Sequence, residues 1–239
     1  KVLIGFPGDG DINNRLGNVL RTLYLLFAEG YYSESNDTIL REELCLEAMR
    51  LMDLLIENES TNLPDVNALL ALMCFHSSRF EARKNDRGEI ILYHDQDENL
   101  WNRELIVRGA YYLHQSAQGN RFSKYHLEAS IAYWHTIKED TKEKWENILQ
   151  LYNRLLQIEY SPVAALNRTF ALSKANGKQA AIIEAEKLQL TNNHYYFTLL
   201  GELYKNIDCN KAKENFKKAI ALAKTATDKR SLQNKIDQL

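Results

Sequence analysis

The chain has 239 residues, of which 45% are hydrophobic and 26% are charged, and its net charge is −2. This length is sufficient to bury one substantial core or two smaller ones. Three prolines and ten glycines are too few for the many turns of a β-sandwich or a barrel. The nearly balanced charge excludes a chain that is basic throughout, and no apolar run is long enough for a membrane-spanning helix.

Hydrophobic periodicity predicts helices along most of the chain. In the first half we expect them over residues 11–29, 37–56, 64–83 and 97–116. Gly30 is expected to end the first helix in the left-handed conformation, and Asp97 to cap the fourth. Residues 85–99 interrupt the helical pattern, and Glu89–Tyr93 within them is predicted to be a strand or an extended loop.

The second half continues as helices joined by short loops, which is typical of antiparallel helical neighbours. Pro162 is expected to begin one of these helices and Gly177 to end it. The predicted helices cover residues 123–138, 142–159, 162–176, 178–188, 194–207, 210–224 and 227–238. The expected fold class is therefore all-α, with antiparallel helical pairs forming a short tetratricopeptide-like solenoid packed on an N-terminal helical bundle.

One helical pair carries the spacing of a tetratricopeptide repeat. Small residues in this pattern allow two helices to cross closely, and a phenylalanine fills the space beside them. The residues predicted to pack in this way are Phe197, Leu200, Gly201, Tyr204, Ala212, Phe216 and Ala219. We therefore divide the chain into residues 1–10 as a linker, 11–118 as an N-terminal helical subdomain and 119–239 as helical repeats.

Motifs for chemistry are weak throughout the sequence. The acidic run that begins at Asp95 starts like a calcium-binding loop, but Leu100 and Ile106 stand where that loop needs Gly and Glu. The six histidines have no metal-ligand spacing, and three scattered cysteines without a C-x-x-C pair fit a reduced, cytoplasmic protein. We expect no catalytic residue, no metal and no cofactor.

Several segments, taken together and in order, match the pattern of one family. They are Leu23–Tyr31, Glu47–Leu51, Leu69–Met73 with His76, Arg79, Ala82 and Arg83, then Asp95–Asp97 with Trp101, Arg103, Leu105 and Ile106, then Tyr125, Leu127, Ala129, Ile131, Ala132 and His135, and finally Ser161–Arg168. The set resembles bacterial sigma-70-type factors of the extracytoplasmic-function class that carry a long C-terminal helical extension. Departures are Ala28 in place of Asn, Glu98 and Leu100 in place of Arg, and Asn102 in place of Asp.

The resemblance implies a role in transcription initiation, with no enzymatic activity. It implies that residues 1–10 link this segment to a preceding DNA-binding domain, and that promoter DNA is bound by such preceding domains. The partners it implies are the protein's own sigma domains, core RNA polymerase or a signalling protein. A membrane is not among them.

The candidate contact surface is the non-helical insertion, because loops on a rigid scaffold often carry function. Its residues are Asp95, Gln96, Asp97, Trp101 and Arg103. The structural alternative is that Trp101 packs in the core while Asp95 and Asp97 cap helices.

Two other functions stay open from the residues alone. One is a peptide-binding scaffold with a groove at Asn167, Arg168, Tyr204 and Lys205, and the other is a helical domain that senses a small molecule.

Overall fold

The computed structural model describes residues 9–31, 41–83, 91, 93–118 and 122–239. Within these ranges the regular structure is entirely helical, which confirms the all-α prediction. The helices are α1 Asp9–Tyr31, α2 Glu42–Glu57, α3 Pro64–Ser77, α4 Arg103–Ser116, α5 Lys124–Trp134, α6 Lys142–Ile158, α7 Pro162–Asn176, α8 Lys178–Leu188, α9 His194–Tyr204, α10 Cys209–Leu222 and α11 Ala226–Asp237. The predicted start of the second helix at residue 37 and most of the predicted strand at 89–93 lie outside the described residues.

The chain divides into two compact units, residues 1–138 (unit 1) and residues 139–239 (unit 2). The second segment was predicted to begin at residue 119. The boundary falls later because α5 packs against α3 and α4, which places it in unit 1. None of the helices in the described ranges is long and apolar enough to cross a membrane.

Helix α3 is the centre of unit 1. It contacts α1, α2, α4 and α5, and its residues from Val66 to Phe75 are all buried. A helix that is apolar on every side is stable only when it is covered on every side. The prediction placed the end of this helix at Arg83, but α3 ends at Ser77 and a short 3₁₀ helix, Glu81–Arg83, follows it.

Gly30 lies inside α1, so the prediction that it ends the helix in a left-handed conformation is wrong. The residue is needed for a different reason. A Cβ at Gly30 would lie 2.7 Å from Cys45 Sγ and 2.8 Å from the Arg41 carbonyl oxygen. The absence of a side chain therefore lets α1 approach the start of α2, where Arg41 N donates to the Gly30 carbonyl at 2.8 Å.

In unit 2 each helix from α6 to α11 contacts the next one along the chain. Such nearest-neighbour packing is what a stack of helical hairpins requires. Gly177, at φ 91°, separates α7 from α8, which confirms the prediction that a helix ends there. Pro162 is the first residue of α7, also as predicted. Proline suits this position because a backbone N–H there would have no partner within the helix.

The α9–α10 pair has the geometry that its spacing predicts. A Cβ at Gly201 would lie 2.6 Å from the ring of Phe216, so the ring rests directly on the backbone of α9. Phe216, Ala212 and Ala219 are completely buried, and Leu200 and Tyr204 are nearly so. Phe197 is half-buried and packs at the edge of the same core.

Candidate interaction site at residues 93–103

The structure separates the five predicted contact residues into two groups. Gln96 and Trp101 point into unit 1, with only 6% and 3% of their surface exposed. Asp95, Asp97 and Arg103 are exposed. Two short 3₁₀ helices, Tyr93–Asp95 and Glu98–Leu100, form most of this segment. The segment therefore has an inner side that is buried in unit 1 and an outer side that is exposed to solvent.

The cap of α4 is Asn102 and not Asp97. The Asn102 side-chain oxygen accepts from Leu105 N at 3.0 Å, and α4 begins at Arg103. The Asp97 carboxylate instead accepts from Asn99 N at 2.9 Å and caps the short helix Glu98–Leu100. The predicted helix over 97–116 was too long because Trp101 is extended (ψ 130°) and Asn102 N is bonded to the Ser78 carbonyl at 2.7 Å.

Replacing Asn102 by alanine is expected to lower the free energy of unfolding by about 1 kcal/mol, because α4 loses its N-terminal cap. Asp97→Ala is the matched variant and is expected to lower it by less than about 0.5 kcal/mol, because its exposed cap serves one short turn. Urea denaturation followed by circular dichroism measures both. A larger loss in Asp97→Ala than in Asn102→Ala would contradict this assignment of the caps.

Lys138 and Tyr93 tie the segment to the end of unit 1. Lys138 Nζ donates to the carbonyl oxygens of Gln96 at 2.8 Å and Tyr93 at 3.3 Å. The Tyr93 hydroxyl donates to the Ile137 carbonyl at 3.2 Å, and Gln96 Nε2 donates to the Ile91 carbonyl at 3.1 Å. These bonds satisfy backbone groups that a non-helical segment would otherwise leave unpaired.

Aromatic rings and cations lie beneath the segment. The Tyr93 ring is 6.3 Å from that of Trp101, and the Arg79 guanidinium lies 5.5 Å from the Tyr93 ring centroid. Arg79 Nη2 also donates to the Tyr31 hydroxyl at 3.5 Å, and the Tyr31 ring is 4.5 Å from that of His76. We call this set the buried cluster: Tyr31, His76, Arg79, Tyr93, Gln96 and Trp101.

The buried cluster contains polar atoms that are shielded from solvent and have no hydrogen-bond partner among the residues that the structure describes. They are His76 Nδ1, Arg79 Nε, Gln96 Oε1 and Trp101 Nε1. Burial lowers the pKa of His76 well below its ordinary value, and the positive charges of Arg79 and Arg83 lower it further. His76 is therefore neutral at pH 7, and Arg79 is the one cation among the six residues of the buried cluster.

The outer side of the site continues along α4. Arg103, Val107 and Tyr111 are spaced four residues apart, so they share one face of the helix. Val107 is 69% exposed and Tyr111 56%, and they line a shallow groove. Arg108, at the side of this groove, forms an ion pair with Asp53 of α2.

The residues of the alternative peptide groove are largely engaged inside unit 2. Arg168 Nε donates to Asn153 Oδ1 at 2.6 Å, and the Lys205 carbonyl accepts from Lys178 Nζ at 2.9 Å. The Tyr204 hydroxyl donates to the Glu186 carboxylate at 2.6 Å, and this bond raises the pKa of Tyr204 to about 12. Asn167 alone of the four has an exposed side chain.

The described ranges hold no group of three or more potential metal ligands. Burial raises the pKa of the thiols of Cys45 and Cys74 to about 12, so neither is a thiolate at neutral pH. The third cysteine, Cys209, is exposed.

Sequence reasoning missed two parts of this site. Arg79 contributed to the family resemblance, but it was not predicted to share the Tyr93 ring with Trp101, which is more than twenty residues away in the chain. Val107 and Tyr111 were not predicted either. Their four-residue spacing after Arg103 is a usable signal, because apolar residues on the same face as a charged residue indicate an exposed apolar face.

Comparison with known proteins adds a family match without a function. Residues 15–117 match a family of unknown function, DUF6596. Over 237 residues the chain is 34% identical to the uncharacterized protein R00370 of Rhizobium meliloti (strain 1021). This match covers 98% of the chain but 56% of that protein, so the chain spans little more than half of its relative. No solved structure matches the chain.

Proposed function

We propose that this chain is a regulatory segment of an RNA polymerase sigma factor of the extracytoplasmic-function class. It modulates sigma activity by protein–protein contact and carries out no enzymatic reaction. Its partners are the sigma domains of the same protein, core RNA polymerase or both, and these place it in the cytoplasm. Promoter DNA is bound by other domains of the protein.

The sequence resemblance supports this function, and the structure gives the matching residues two different tasks. Leu23, Phe27 and Tyr31 are buried, as are Gln96 and Trp101 of the later motif. Such positions maintain the fold and the shape of the segment. The exposed residues of the motif, Asp95, Asp97 and Arg103, are the ones left to meet a partner. The Rhizobium relative extends well beyond the match, which leaves room for further domains.

One observation carries the choice of contact surface: the exposed apolar face of α4 begins beside Arg103, an exposed residue of the motif. Val107 and Tyr111 form an apolar strip beside the charges of Arg103 and Glu104. Exposed apolar surface with a polar rim is typical of protein–protein interaction sites. Because the bonds to Lys138 and Ile137 hold the adjoining segment, this surface is organised before a partner arrives, which lowers the entropy lost on binding.

The experiment is a binding measurement with the purified chain, core RNA polymerase and the sigma domains encoded in the same gene. Val107→Asp places a charge in the apolar strip and is expected to weaken binding to its partner about tenfold or more, equivalent to about 1.4 kcal/mol. Ile183→Asp is the control, since Ile183 is an exposed aliphatic residue of α8 in unit 2. Equal binding by both variants, or no binding by the unmodified chain, would contradict the proposal.

A further inference from the structure

Charge is distributed unevenly between the two units. Residues 1–138 contain fourteen Lys and Arg against twenty Asp and Glu, whereas residues 139–239 contain sixteen against twelve. The excess lies at the end of the chain, since residues 209–239 contain eight Lys and Arg and three Asp and Glu. The small net charge of the whole chain therefore conceals a basic region in α10 and α11. Such a region attracts a partner of opposite charge.

Four lysines lie on the solvent side of α10. The helix buries its other side against unit 2, and all four lysines are exposed. At 3.6 residues per turn they form two rows that lie about 130° apart around the helix axis. We call these four residues the basic face: Lys211 and Lys218 in one row, Lys213 and Lys217 in the other.

The first row is positioned by aromatic rings of α9. Lys211 Nζ lies 5.0 Å from the ring centroid of Tyr204, and Lys218 Nζ lies 5.6 Å from that of Phe197. Glu214 precedes Lys218 by four residues, a spacing that favours an ion pair, yet within the described chain it pairs with no lysine of α10. The rings hold both ammonium groups in place while these stay exposed, so less side-chain entropy is lost when an anion binds.

The carboxylates nearest in sequence do not neutralise the basic face. None of its four lysines forms an ion pair with a carboxylate of the described residues. Asp208 instead caps α10 by accepting from the backbone N of Lys211 at 3.0 Å, and Asp228 accepts from the Thr225 hydroxyl at 2.7 Å. Like charges four residues apart on a helix repel each other, and a bound polyanion would remove that repulsion.

The surroundings of the basic face narrow the class of polyanion. In α10 and α11 none of the described side chains is an exposed large hydrophobic. Protein interfaces depend on apolar anchors, and a helix on a membrane surface inserts an apolar face, so neither partner fits well. A single nucleic-acid strand would need exposed rings for base stacking, but Tyr204 is only 7% exposed and Phe197 is half-buried.

We propose that α10 lies along the major groove of duplex DNA, with one row of the basic face at each backbone. A helix with its side chains is about 10–12 Å across, and the major groove of B-form DNA is about 12 Å wide. Two rows on opposite edges of one helix therefore meet the two strands that border the groove. Glu214 lies between the rows, so it faces the groove and not a phosphate.

The length of α10 suits such a contact. Its 14 residues span about 21 Å, over which a duplex carries about twelve phosphate charges. The contact adds affinity without reading a base sequence, and recognition of a promoter stays with other domains. The inference does not depend on the proposed role in transcription, because it rests on the charges of unit 2.

The test measures fluorescence anisotropy of a labelled 20-base-pair DNA of arbitrary sequence as the purified chain is added. We expect a dissociation constant of about 100 μM or tighter at 25 mM NaCl, within the range of non-specific DNA binding. If four lysines each neutralise one phosphate, the affinity should fall about tenfold between 25 and 50 mM NaCl. A weaker affinity, or one that salt does not change, would overturn the inference.

Paired substitutions test the two rows. Lys213→Gln with Lys217→Gln, and separately Lys211→Gln with Lys218→Gln, should each weaken binding about tenfold and reduce the salt effect to about threefold. Glutamine has nearly the helix propensity of lysine, so the variants should fold, which circular dichroism checks. An unchanged affinity in either folded variant would overturn the two-row arrangement.

The control removes the same charge from another part of unit 2. Lys142 and Lys187 are exposed but pair with Glu146 and Glu184. Lys142→Gln with Lys187→Gln is therefore expected to change the affinity by less than about twofold. Equal weakening by this control and by the basic-face variants would mean that net charge alone acts, and would overturn the site.

Three further arms test the choice of polyanion. Duplex RNA of the same sequence should bind more weakly, because its major groove is deep and narrow. The single DNA strand should also bind more weakly, and so should poly-L-glutamate at the same charge concentration. Equal or tighter binding to any of the three would overturn the assignment to duplex DNA.

Chemical modification locates the contact without any substitution. N-hydroxysuccinimide acetate acetylates exposed lysines, and mass spectrometry gives the rate at each one. Duplex DNA should slow acetylation of the basic face and leave that of Lys142 and Lys187 unchanged. Equal protection of all these lysines, or none of the basic face, would contradict the inference.

Discussion

Replacing Phe216 by alanine is expected to lower the free energy of unfolding of unit 2 by about 3–5 kcal/mol, as deletion of a buried aromatic ring does. The ring is completely buried and rests on the Gly201 backbone, between the two alanines of its own helix, Ala212 and Ala219. Neighbouring helices cannot close the space easily, because glycine and alanine have no side chain that could move into it. Urea denaturation followed by circular dichroism measures the loss.

The control for Phe216→Ala is Ile183→Ala, an apolar truncation at an exposed position of the same unit. It is expected to change the free energy of unfolding by less than about 0.5 kcal/mol. A loss in Phe216→Ala as small as that in Ile183→Ala would mean that α9 and α10 do not pack as described, and the repeat-like pairing would have to be abandoned.

Two glycines in unit 1 are expected to respond to alanine in opposite directions. A Cβ at Gly109 in α4 would lie 2.7 Å from the ring of Phe75, which is completely buried in α3 and has no room to move. Gly109→Ala is therefore expected to lower the free energy of unfolding by about 1–3 kcal/mol. At Gly17 in α1 a Cβ meets nothing within 4 Å, so Gly17→Ala is expected to raise it by about 0.5–1 kcal/mol through helix propensity alone.

The same urea measurement gives both values for the glycine variants. Because the substitution is identical and both positions are helical, the difference isolates the contact with Phe75. A stabilising Gly109→Ala would show that α4 lies further from α3 than the structure places it.

The sequence predicts the helices well where local signals and tertiary packing agree. Gly177 ends a helix because the chain needs a positive φ there, and this signal is local. Gly30 is also a glycine that follows an apolar stripe, yet it is helical. It is needed because a side chain there would collide with Cys45 and the Arg41 carbonyl. That reason depends on the position of α2 and is not contained in the sequence around Gly30.

The candidate site was predictable in its position but not in its construction. The break in helical periodicity indicates the segment, and Asp97 does cap a helix, although a shorter one than predicted. The start of α4 depends on Asn102, whose backbone bond to Ser78 joins residues far apart in the chain. The buried cluster is also assembled from separate segments, so no local spacing reports that Arg79 and Trp101 both lie near the ring of Tyr93.

Transcription in vitro, with core RNA polymerase and the complete product of the gene, tests whether this segment regulates a sigma factor. It compares the unmodified protein, a truncation that ends before Lys1, Val107→Asp and Ile183→Asp. We expect the truncation and Val107→Asp to change transcript yield in the same direction, by about fivefold or more, and Ile183→Asp to leave it unchanged. Equal yields from all four proteins, or a gene that encodes no sigma domains, would contradict this role.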